Sequence, residues 1–156
     1  MRYMTLATAG LALALAAGNP MEQTADADAL AEVFHADFSA GNFDKIWSEA
    51  SNDFRTGTPR AEFDQVFANL HNFYGEYQGG SRSGVSLNTN NGVTTTQIGW
   101  NSTYANSRAD ETFIFVGTGD DMKLLNWSIE PVAAEGENPD PGPEAAPEAA
   151  PTETEK

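Results

Sequence analysis

Asp37 is the carboxylate whose spacing singles it out for chemistry. It lies three residues after Phe34 and four after Val33, so on a helix it falls inside an apolar stripe. Burial of an unpaired carboxylate favours its neutral form, and a poised acid in a cavity is the working part of isomerase-type sites. In that reading Asp37 is the base, and Tyr74 or Tyr104 is the hydrogen-bond donor. The same position also suits a structural tie, in which Asp37 pairs with Arg55 or accepts a hydrogen bond from a tryptophan indole.

The other reactive residue types are sparse. His35 lies about 100° round the helix from Phe34, off the apolar stripe, and His71 sits at the edge of a later one, so both read as surface or boundary residues. Neither has a second histidine or a carboxylate at a ligand spacing such as H-x-x-x-H, which gives no metal site. Without a single cysteine, disulfides, thiol nucleophiles and thiolate metal ligands are excluded. Asp120-Asp121 after Gly119 lacks the spaced oxygens of a calcium loop and reads as turn chemistry. The acids of the last two strands, Glu111 and Glu130, fall at strand ends, where solvation is the expectation. Asn101-Ser102-Thr103 and Asn126-Trp127-Ser128 match the glycosylation pattern but sit within predicted strands.

Aromatic residues offer a different chemistry. Trp47, Trp100, Tyr104, Phe115 and Trp127, with Phe113, could line an apolar pocket for a lipid, sterol or aromatic ligand. They could equally be the core that a domain of this size needs. No cofactor is implied by any of these residues.

The elements that must position these side chains follow from periodicity. Thr24 to Ala40 reads as a first helix, with Leu30, Val33, Phe34 and Phe38 at helical spacing, ended by Gly41. Asn42 can cap a short second helix carrying Phe43, Ile46, Trp47 and Ala50. After Asp53-Phe54-Arg55 and the Thr56-Gly57 turn, Thr58 reads as an N-cap and Pro59 as the first residue of a third helix. That helix carries Phe63, Val66, Phe67, Leu70, Phe73 and Tyr74, and Gly75 stops it. The period then changes to two. Tyr77–Leu87 is a glycine-interrupted strand with an expected bulge, Asn90-Asn91-Gly92 a hairpin turn, and Val93–Tyr104 an alternating strand. A last hairpin, Glu111 to Ile129, turns at Gly117, Gly119, Asp120 and Asp121. The sum is an α+β domain in which three N-terminal helices cover a curved four-stranded antiparallel sheet.

Both ends differ from this domain. Arg2 followed by an apolar run of thirteen residues, Thr5 to Ala17, reads as a signal peptide over residues 1–17, which implies export to a periplasm or the medium. Residues 131–156 hold six of the eight prolines and seven acids against one lysine, the composition of a disordered acidic tail. Residues 19–130 form the domain and carry sixteen acids against six bases, a net −10. A surface of that sign repels phosphate backbones and no basic stripe exists, so nucleic acid is excluded as a partner. A protein partner or a small apolar ligand is left, with no membrane role once the signal is removed.

Ala40-Gly41-Asn42-Phe43-Asp44-x-x-Trp47, Asp53-Phe54-Arg55, Glu62-Phe63 and Gly75 resemble the helical half of small exported proteins in the nuclear transport factor 2-like superfamily. Glu111-Thr112-Phe113 and Leu124-Leu125-x-Trp127-x-Ile129 resemble its closing strands. The resemblance spans about residues 28–130 and implies a cone-shaped fold with a cavity at its wide end. It covers ketosteroid-isomerase-like and scytalone-dehydratase-like enzymes as well as non-catalytic binding and dimerisation modules, so the fold does not choose the activity. With no converging polar groups legible, the expectation is a non-enzymatic binding module, either monomer or weak homodimer. The alternatives are an isomerase or dehydratase using Asp37 and an envelope interaction module that dimerises through its outer sheet face.

Overall fold

The computed structural model describes residues 19–133, so the signal peptide expected over 1–17 and nearly all of the acidic tail lie outside the described residues. The elements run α1 (Pro20–Ser39), α2 (Phe43–Glu49), α3 (Asn52–Gly57), α4 (Arg60–Tyr74), β1 (Tyr77–Asn90), β2 (Val93–Tyr104), β3 (Arg108–Val116), a single 3-10 turn (Gly119–Asp121) and β4 (Lys123–Pro131). This is the expected α+β layout, with four helices rather than three.

The helix boundaries follow from local chemistry. Asn19 caps α1 by accepting from the Met21 amide at 3.1 Å, and Pro20 sits in the first turn, so α1 begins four residues before Thr24. Gly41, at φ 70°, ends it in the left-handed region. The segment around Asp53-Phe54-Arg55, expected to be a simple exit, forms the additional helix, α3. Ser51 caps it through Phe54 N at 3.1 Å and donates its own amide to Leu124 O at 2.9 Å, tying α3 to β4. Pro59, not Thr58, occupies the cap position of α4.

The sheet is a meander in the order β1-β2-β3-β4, antiparallel throughout. Period-two alternation turns Thr96, Ile98, Trp100, Ser102 and Tyr104 of β2, and Ala109, Glu111, Phe113 and Phe115 of β3, toward the helices. A register shift after Ile114 leaves Leu125 as the extra residue of β4, which lets both Leu124 and Trp127 face inward. Two shifts in β1, at Tyr77/Gly79 and Arg82/Gly84, fit the bulge expected there. Gly80 is required by close approach, since a Cβ would lie 2.5 Å from Asn101 O and 2.7 Å from Trp100 Nε1.

The core is mostly aromatic. Phe34, Phe38, Phe63, Phe67, Phe113 and Trp127 interlock, and stacks such as Phe63 on Phe67 at 4.0 Å fill the layer between helices and sheet. Each fully buried phenyl contributes about 1.5–3 kcal/mol of transfer free energy. Val33, Val66 and Phe73, assigned to apolar stripes from spacing alone, remain exposed. The face that α1 does bury runs instead through Ala27, Ala31, Phe34 and Phe38, and it widens to take in His35 on one flank and Asp37 on the other.

Candidate functional site

Polar groups from four elements meet inside the domain, at Glu111. Alternation back from Phe115 and Phe113 turns this side chain toward the helices, and it is 2 % exposed. Oε1 accepts from the Tyr104 hydroxyl at 2.9 Å and from Trp127 Nε1 at 3.0 Å. Oε2 accepts from the Ser102 hydroxyl and from His35 Nε2, the latter at 2.7 Å. A carboxylate oxygen can only accept, so His35 Nε2 carries the proton in that contact. Both oxygens therefore have two donors each.

His35 reaches this point from α1 at 1 % exposure, which corrects its assignment as a surface or boundary residue. A helix packed against a sheet on one side and against α2 on the other buries more than a 100° stripe, so a position one step off the stripe goes inside. Its ring lies parallel to Tyr77 at 3.9 Å. Tyr77 in turn accepts from Trp100 Nε1 at 3.0 Å. His35 Nδ1 is buried without a hydrogen-bond partner among the described residues. Glu111 is likewise corrected from a solvated strand end to a buried centre. The reason is that β3 begins at Arg108, three residues earlier than expected, so Glu111 is an interior strand position. The same period-two rule, carried back from Phe113, could have found it; nothing in the helical pattern around His35 could.

Burial raises the Tyr104 phenol far above its ordinary value, with the charge of Glu111 and its hydrogen bond adding in the same direction. Tyr77 and Tyr74 are raised too, chiefly by burial; the Trp100 hydrogen bond partly opposes this at Tyr77.

Asp37 belongs to a different place. It is 7 % exposed, and its partners are Lys45 Nζ at 2.8 Å and Asn42 Nδ2 at 3.2 Å, not Arg55 or an indole. The hydrogen bond and charge of Asp37 raise the Lys45 pKa. Arg55 caps backbone carbonyls instead, Ser48 O at 2.7 Å and Ala50 O at 2.9 Å. Asp37 borders an open cleft of about 250 Å³ between α1, α2 and the β3–β4 turn, with Leu30, Val33 and Phe115 among its walls. Neither Tyr74 nor Tyr104 lines that cleft.

Among the described residues, the five aromatics considered as one pocket fall in different places. Trp100 and Tyr104 are buried in the core and Phe115 backs the cleft beside Asp37. Trp47 packs on Phe63 at 4.9 Å under the Arg60 guanidinium. Trp127 floors a second groove of about 380 Å³ between α4 and the edge of β4. His71 is half-buried and donates to Ser39 O at 3.2 Å. No group of three or more metal-ligating side chains occurs among the described residues.

A glutamate holding a histidine is the arrangement of a general base, but a base must reach a substrate proton. Here neither residue borders either cleft. What the geometry does is lock α1 to three strands. Comparison of the chain with family models, with characterised proteins and with solved structures returns no match.

Proposed function

We propose that this chain is an exported, non-enzymatic binding or interaction module with the cone-shaped fold of the nuclear transport factor 2-like superfamily. Support for the fold is the order of elements, helices first and then a four-stranded meander with bulges in β1 and β4. One observation carries the functional reading: the strongest convergence of polar groups, at Glu111, is spent on internal hydrogen bonds and closed to solvent. The two open clefts join apolar walls to scattered polar side chains, Asp37, Glu49, Asp120 and Lys123 in the first and Thr58, Glu62, Asn126 and Ser128 in the second, a mixture that suits recognition.

An isomerase or dehydratase centred on Asp37 is the second reading, because Asp37 borders a cleft and keeps 10 % of its side chain exposed. Its pairing with Lys45 and the absence of a tyrosine from that cleft weigh against it. Native mass spectrometry of the mature protein tests the proposal. A non-covalently retained ligand or partner, held equally by Asp37→Asn, is the expected result. Isomerisation of a β,γ-unsaturated ketone by the wild type but not by Asp37→Asn would overturn it.

A further inference from the structure

The backbone of β1 leaves one stretch of the sheet open in a form that matches itself. Asn91 at φ 49° and Gly92 at φ 79° make the two-residue β1–β2 turn, both in the left-handed region, which is the type I′ hairpin. In such a hairpin the flanking residues, Asn90 and Val93, form a hydrogen-bonded pair. Alternation then assigns the amides and carbonyls of Asn88 and Ser86 to β2 and turns those of Val85, Leu87 and Thr89 to the free edge. The pairing of β1 with β2 is regular from Gly84 to Asn90, because the bulge lies before Gly84.

Natural edge strands are guarded by charge, proline, bulges or a covering element. The other edge has such guards: β4 carries Lys123, Glu130 and Pro131 and lies against α3 and α4. Residues 84–90, Gly-Val-Ser-Leu-Asn-Thr-Asn, hold no charge and no proline, in a chain of net charge −15. Val85 and Leu87 are 45 % and 37 % exposed on the helix side of the sheet, at its β1 edge, beside the fully buried Ile98 and Thr96 of β2.

We propose that two copies of this chain pair edge to edge through residues 85–89 of β1, antiparallel about a two-fold axis at Leu87. In that register Leu87 faces Leu87 of the second copy and Val85 faces Thr89. Each of these pairs is of the hydrogen-bonded kind, so all six free backbone groups of one strand find partners. An acidic molecule repels its own copies over most of its surface, and this is a stretch where strand pairing brings no carboxylates together. The segment is short beside the about 1,600 Å² of a standard interface, so the dimer dissociates on dilution.

Sedimentation of the full mature chain across a concentration series tests this, with Leu87→Lys and Leu87→Glu as the variants. The half-exposed position tolerates both, which far-UV circular dichroism checks. Wild type should show mass-action dimerisation, and each variant alone should weaken it at least tenfold, since like charges then meet across the axis. An equimolar mixture of the two variants should restore dimer, which loss of fold would not. Gln97→Lys, on the outer sheet face, should leave dimerisation unchanged. A wild type that stays monomeric throughout, a mixture that fails to recover, or a Gln97→Lys monomer would overturn the proposal.

Discussion

Glu111 is the residue on which the interior depends most. Its two oxygens meet four donors, so replacing it by Gln sets an amide N–H₂ against hydrogens that already point at it. Glu111→Gln should cost about 3 kcal/mol, read as a lower urea midpoint at unchanged slope. Tyr104 supplies a pH signature with a definite sign. Its folded-state pKa is raised, so its contribution is fully present below the unfolded value of about 10 and is lost as pH climbs above it. Urea midpoints should therefore fall between pH 9 and pH 11, and Tyr104→Phe should flatten that fall while weakening the protein at pH 7 by about 1 kcal/mol through the lost hydrogen bond. At this scale the sequence was legible unevenly. Parity along β3 could have turned Glu111 inward, whereas the fate of His35 depended on how far neighbouring elements wrap α1, which no local spacing records.

Among the elements, strand order and alternation were legible because a two-residue repeat leaves few choices once one face is buried. The helices were harder at their ends. Asn19 and Pro20 form a good start signal four residues before the apolar spacing points to a helix, and α3, at six residues, is too short to show a repeat. Two substitutions test these junctions. Ser51→Ala removes the α3 cap and should lower stability by about 1 kcal/mol in the same urea titration. Gly80→Ala should be worse, about 2–3 kcal/mol, because the new methyl meets Asn101 O and the Trp100–Tyr77 hydrogen bond together. Near-UV circular dichroism should report the second change and not the first, since only Gly80→Ala moves a tryptophan.

For the molecule as a whole, charge sets the behaviour in solution. Residues 19–130 carry sixteen acids against six bases, so screening should relieve self-repulsion. Calorimetry should show Tm rising by a few degrees between about 0.02 M and 0.5 M sodium chloride, and the β1-edge dimer should tighten over the same range. The α+β class was readable here because helical and strand periodicities occupy separate halves of the chain. Where the polar groups converge was not, since His35 and Glu111 are 76 residues apart and only the tertiary fold brings them together.

That separation bears on the order of assembly. Strands that follow one another in the chain also lie side by side, so each β pairing closes a short loop and can form early. The helices are the exception: Gln23 of α1 waits for Gly117, His35 for Glu111, and Ser51 at the α3 cap for Leu124, across most of the domain. A growing chain therefore makes its first helix long before the surface that will hold it. Late docking of that helix is the expectation, and removing the histidine should then hasten unfolding while leaving the refolding rate nearly untouched.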